Sequence, residues 1–102
     1  MDQTALYQVL AKALLSTCPE GFEEARIEAE VESDWSEKAY RCKVGGEWSQ
    51  GKSVPAELDF EVDDALHDLR KGMRQEGRAA WNRCTFVLQP DGRFDLQVAY
   101  PE

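Results

Sequence analysis

Residues 81–100, WNRCTFVLQPDGRFDLQVAY, decide how the chain folds. Cys84, Phe86 and Leu88 alternate with polar or smaller neighbours, and Phe94, Leu96, Val98 and Tyr100 do the same after Pro90-Asp91-Gly92. Period-two alternation on both sides of a Gly-containing turn predicts a β-hairpin with one buried face. Pro90 pre-sets φ for the start of the turn, and Gly92 accepts a positive φ that a Cβ would oppose. Such a hairpin presents a flat apolar face, so the rest of the chain is expected to cover or extend it.

Upstream, 25–31 alternates Ala25, Ile27, Ala29 and Val31 with Arg26, Glu28 and Glu30. That is the pattern of a half-buried strand, because on a helix these apolar residues share no face. The pattern resumes with Tyr40, Cys42 and Val44 expected inward and Arg41 and Lys43 outward, beside the outward glutamates. Gly45-Gly46 marks a turn, and the segment 46–56 has no decisive pattern: Glu47 to Gln50 reads as a short strand or as loop. Trp48 is expected against the sheet edge.

Two amphipathic helices complete the set. In the first, over 4–16, Leu6, Val9, Leu10, Ala13 and Leu14 fall at i, i+3, i+4, i+7 and i+8. Asp2 or Thr4 is placed to cap its start, and Cys18-Pro19-Glu20-Gly21 ends it. The second runs from Leu58 to about Glu76, with Val62, Ala65, Leu66, Leu69 and Met73 as its stripe, Pro55 before it and Gly77 as its stop. Acids crowd its first half and Arg70, Lys71, Arg74 and Arg78 its end, which complements the helix macrodipole. The expected fold is α+β: two layers, an antiparallel sheet of four to five strands packed with two helices, in the order α-β-β-(β)-α-β-β, as one domain over 1–102.

Composition narrows the function. The 102 residues carry 20 acids against 12 Lys and Arg, a net charge of −8. A nucleic-acid binder shows a basic stripe, and this chain shows the reverse. Acidity suits either solubility alone or a basic partner met by electrostatic steering. No apolar run reaches the ~20 residues that span a bilayer, so no membrane partner is expected. The opening MDQTALYQVLAKALLS has no basic n-region, which predicts a cytoplasmic product. The three cysteines, Cys18, Cys42 and Cys84, are odd in number and without a C-x-x-C pair, so they read as reduced, mostly buried small hydrophobes.

Chemical equipment is sparse. His67 is the one histidine, and no nucleophile elbow, phosphate-binding loop or zinc motif occurs. The expectation is no catalytic residue, no metal ligand and no cofactor. Two acidic clusters remain, one in 20–37 and one at the start of the second helix. The docking residues expected from them are Glu28, Glu30, Glu32, Asp34, Glu37, Asp63 and Asp64, with Trp35 as an aromatic anchor in the loop between strands.

The chain also resembles a family. The opening helix ending in a proline, the IEAEV strand, the segment LHDLRKGMRQEGRAAW, then CTFVL and DGRFDLQVAYPE are similar to the YezG-like immunity proteins of bacterial polymorphic toxin systems. Leu69, Arg70, Trp81, Phe86, Gly92, Phe94 and Tyr100 match that family's pattern of a Leu-Arg pair, a Trp, a strand, a Gly-x-Phe turn and a closing strand. The resemblance implies a small non-enzymatic protein, encoded beside a toxin, that binds the toxin domain and blocks it. Combined with the acidity, it suggests a basic nuclease or nucleic-acid-modifying toxin as partner. An exposed sheet edge leaves dimerisation open without any residue pattern that establishes it, so the expected state is a monomer or weak dimer. The competing expectation is a non-inhibitory adaptor or chaperone for a secreted effector.

Overall fold

A computed structural model of the chain describes residues 3–73 and 80–100. The element order is α1 (Gln3–Thr17), β1 (Glu24–Val31), β2 (Ser36–Val44), β3 (Glu47–Gln50), α2 (Ala56–Met73), β4 (Arg83–Leu88) and β5 (Phe94–Ala99). The expected α+β order holds, with the short strand present. The Asp2 cap, the end of the second helix near Glu76, Gly77, Arg74 and Arg78 lie outside the described residues.

The five strands form one sheet in the order β3-β2-β1-β4-β5, and every pairing is antiparallel. β1 is central and its inward side chains Ala25, Ile27, Ala29 and Val31 are all buried. Both helices pack on that face. Leu6, Leu10, Ala13 and Leu14 of α1 and Leu58, Val62, Ala65, Leu66 and Leu69 of α2 fill the layer between them and the sheet. Truncating one such leucine to alanine costs about 2–5 kcal/mol, whereas a cross-strand surface pair contributes about 0.2–1 kcal/mol. The inner face therefore sets stability and leaves the outer face free to vary.

The turns follow their glycines. Gly45 and Gly46, both at positive φ, close the two-residue connection between Val44 and Glu47, the pairing expected of a type I′ hairpin. In the β4–β5 loop the Gly92 N–H donates to the Gln89 carbonyl at 3.0 Å and the Gln89 N–H to the Arg93 carbonyl at 2.8 Å. With Gly92 at φ 92°, this is a three-residue loop closed by a bulge.

Three expectations need correcting. The β4–β5 hairpin buries only one of its strands on the inner face: Cys84, Phe86 and Leu88 are buried, but Phe94 and Tyr100 are 49% and 54% exposed. β5 is the sheet's edge and the helix layer only reaches its near side, where Tyr7 of α1 meets Phe94 in a tilted contact and stacks with Phe86, at ring separations of 5.0 and 6.2 Å. Val44 keeps the inner side of its strand, two residues after the buried Cys42, but is exposed, because it stands at the Gly-Gly turn beyond the helices. Finally, the cysteines are not all reduced. Cys18, just after α1, and Cys42 of β2 form a disulfide with Cα atoms 5.6 Å apart. Cysteine counting missed this because the end of α1 and the middle of β2 are brought together only by the tertiary fold. Cys84 remains a free, buried thiol, as expected of a core residue.

The same corner carries a second tie. The Lys52 N–H donates to the Thr17 carbonyl at 3.0 Å, and the Thr17 hydroxyl donates to the Lys52 carbonyl. A Cβ on Gly51 would overlap the Thr17 side chain, so the close approach of this segment to α1 requires glycine there.

Candidate functional site: the open face of the sheet

One sheet face carries the helices and, among the described residues, the other carries no element. Antiparallel partners share a face, so the register assigns every side chain. Glu24, Arg26, Glu28 and Glu30 of β1, Glu37, Ala39, Arg41 and Lys43 of β2, and Arg83, Thr85 and Val87 of β4 all point to the open side. Trp48 of β3 joins them opposite Lys43.

Charge on this face is separated lengthwise. At the β2–β3 end stand Arg26, Arg41, Lys43 and Trp48. The Arg26 guanidinium lies over the Trp48 ring, 4.6 Å from its centroid, and its Nε donates to Glu24 at 2.9 Å. Trp48 thus packs on the open face from the edge strand β3. The readable signal was the Gly-Gly turn, whose two-residue length fixes which β3 residues face outward.

At the β1–β2 end the acids collect. Glu28 is tied to Arg41 at 3.2 Å. Glu30 and Glu37 stand directly opposite each other in the register. Among the described residues no cation lies within ion-pair distance of either; Arg83, the neighbour of Glu30 on β4, forms no ion pair with it. The Glu32 N–H donates to the Trp35 carbonyl at 2.9 Å, which continues the ladder one step and leaves Ser33 and Asp34 at the turn. Extending the register puts Glu32 and Trp35 on the open side too, and Trp35 is 45% exposed. A shallow depression lies between these groups, with Ala39 and Thr85 among its lining residues and Glu28, Glu30 and Glu37 around it.

Five of the eight candidates therefore share this face, with Asp34 at its tip. Asp63 and Asp64 are on α2, in the opposite layer. Asp63 is already engaged: it accepts from Lys38 Nζ at 2.7 Å and from the Ser36 hydroxyl at 3.1 Å. Lys38 also reaches Asp59 at 3.2 Å, and its side chain is only 10% exposed. Tyr40 donates its hydroxyl to Asp59 at 2.9 Å. Burial first, and then this hydrogen bond and the charges of Asp59 and Asp63, push the Tyr40 hydroxyl far above the ordinary tyrosine pKa. This network locks α2 to β2, and strand alternation did not reveal it, since a lysine on an inward position reads as an exception.

No constellation for catalysis assembles among the described residues. No group of three His, Cys, Asp or Glu side chains is placed to hold a metal ion. Burial pushes the Cys84 thiol up to about 12, which removes it as a nucleophile near neutral pH. No described helix is long and apolar enough to cross a membrane.

The sequence matches the family described as "Immunity protein YezG-like" over residues 3–102. The chain belongs to the YezG-like immunity protein family. An immunity protein binds a cognate toxin, so this fold presents a surface for a protein partner. Several residues that carried the resemblance hold the framework: Leu69 is buried in α2, Arg70 Nε donates to the Trp81 carbonyl at 3.0 Å, and Phe86 and Phe94 stack at 5.6 Å. No curated protein matches the chain.

Proposed function

We propose that this YezG-like protein neutralises a basic, nucleic-acid-cleaving or nucleic-acid-modifying toxin by laying the acidic end of its open sheet face into the toxin's substrate groove. The carrying observation is the Glu30–Glu37 pair, two carboxylates held opposite each other with no ion-pair partner among the described residues. Opposed like charges destabilise a ladder, and an incoming lysine or arginine relieves them. An enzyme acting on nucleic acid gathers such cations to hold phosphates. Glu28, Glu30, Glu32, Asp34 and Glu37 supply the charge, and Trp35 the desolvated anchor. Asp63 is assigned a structural role with Lys38, and Asp64 lies outside the interface. The protein acts in the cytoplasm, by binding and not by catalysis, on a toxin encoded next to it.

The test is co-purification with the adjacently encoded toxin domain, with activity measured on the complex and on the separated toxin. A tight inactive complex is expected, weakened by Glu28→Lys/Glu30→Lys/Glu32→Lys and unaffected by Asp64→Lys. Protection that survives the triple reversal sinks the placement. A bound toxin that stays fully active overturns inhibition and favours the adaptor reading.

A further inference from the structure

The sheet has two edges, and they are not alike. β3 is short, carries Glu47, and runs directly into the segment tied to α1. β5 is a regular strand, FDLQVA, with no proline, lysine or bulge within it, and no described residue pairs with its outer edge. Natural edge strands are blunted by such devices; β5 has none of them. Its single charge, Asp95, points to the open face and not along the edge, since it pairs with Val87.

The direction of its backbone groups follows from the ladder. Gln89 and Arg93 are a hydrogen-bonded position, and such positions alternate along an antiparallel pair. Asp95, Gln97 and Ala99 thus turn their N–H and C=O groups toward β4. Phe94, Leu96 and Val98 turn theirs outward, to open solvent.

We infer that β5 is the pairing edge for a second copy of this chain. The strand is complementary to itself. A two-fold axis at Leu96 places Leu96 against Leu96, Phe94 against Val98 and Asp95 against Gln97 of the other copy. Every outward N–H and C=O of Phe94, Leu96 and Val98 then finds a partner. Opposed residues share a face, so apolar side chains meet apolar ones, both helix layers lie on the same side, and no like charges stand opposite. The half-exposed Phe94 is covered. The two copies repel through their net charge of −8 each, so this dimer strengthens with salt, because screening removes the repulsion. Toxin docking through the acidic face has the opposite salt dependence. The two interfaces are therefore separable by experiment.

Sedimentation of the full chain over a range of concentrations, at low and high salt, combined with backbone amide exchange, tests this. A dimer is expected to grow with concentration and with salt, with slowed exchange at Phe94, Leu96 and Val98 and none added at Gln97. Leu96→Pro removes the central outward donor without breaking a bond to β4, and the dimer is expected to be lost. Should that variant fail to fold, the exchange pattern of the unaltered chain decides. A chain that stays monomeric at millimolar concentration in high salt overturns the inference. So does a dimer that leaves those three amides unprotected, or one that salt dissolves.

Discussion

Glu30 of β1 and Glu37 of β2 face each other across the ladder on the open side of the sheet, an arrangement that lowers the stability of the free protein. Arg26 and Arg41 also stand opposite each other, but each has a carboxylate within ion-pair distance, Glu24 and Glu28 respectively, whereas Glu30 and Glu37 have no cation among the described residues.

Replacing Glu37 by lysine should accordingly separate stability from function. Glu37→Lys converts a repelling pair into an attracting one and is expected to raise the unfolding free energy by roughly 0.2–1 kcal/mol. The same change is expected to weaken toxin binding by at least about tenfold, or about 1.4 kcal/mol. Denaturant midpoints and titration of the toxin measure the two effects. A variant that is both more stable and equally protective contradicts the assigned interface.

Trp35 offers a second separation. It is half-exposed at the end of the β1–β2 hairpin and absent from the buried core. Trp35→Ala should leave the thermal midpoint nearly unchanged while costing about 2 kcal/mol or more in binding, as truncated aromatic anchors do. Loss of stability without loss of affinity makes Trp35 a folding residue instead.

The disulfide between Cys18 and Cys42 closes a long loop, with 24 residues of sequence separation. Loop-closure entropy for a loop of that length amounts to roughly 3.5 kcal/mol. Reduction, or Cys42→Ser, is therefore expected to lower the denaturant midpoint by a corresponding amount, whereas Cys84→Ser leaves the redox sensitivity intact. Identical midpoints with and without reductant argue against the bond's contribution.

The framework was legible because it rests on local periodicity. Ala25, Ile27, Ala29 and Val31 alternate, and the stripes from Leu6 to Leu14 and from Val62 to Leu69 repeat at helical spacing. Each pattern points to one face, and each face is buried. What escaped depends on which elements become neighbours. Phe94 alternates as well as Phe86 does, but only the strand order reveals that one belongs to an edge. Cys18 and Cys42 bond because α1 ends over β2. The candidate site was half legible: alternation placed Glu28 and Glu30 together, while the acidic start of α2 belongs to the other layer.

Lys38 joins those layers through Asp59 and Asp63. Lys38→Ala leaves two partly buried carboxylates without their cation and is expected to cost about 1–3 kcal/mol. Lys38→Arg recovers part of it. Toxin affinity of the folded fraction should stay unchanged for both, in contrast to the open-face variants. An affinity loss without a stability loss moves this network into the interface.

Tyr40 gives the same contact a pH signature. Its hydroxyl is held above the ordinary range by burial and by the Asp59 hydrogen bond. The unfolded chain binds fewer protons than the folded one once pH passes the ordinary tyrosine value near 10. Stability due to this group is thus complete below that pH and falls as pH rises further. An alkaline unfolding transition is expected, with the Tyr40 tyrosinate appearing together with the loss of folded structure. Tyr40→Phe loses the hydrogen bond at neutral pH but shifts that transition to higher pH. Comparing ultraviolet titrations of the two proteins isolates Tyr40 from Tyr7 and Tyr100, and a Tyr40 that ionises before unfolding, within the native fold, contradicts the assigned contact.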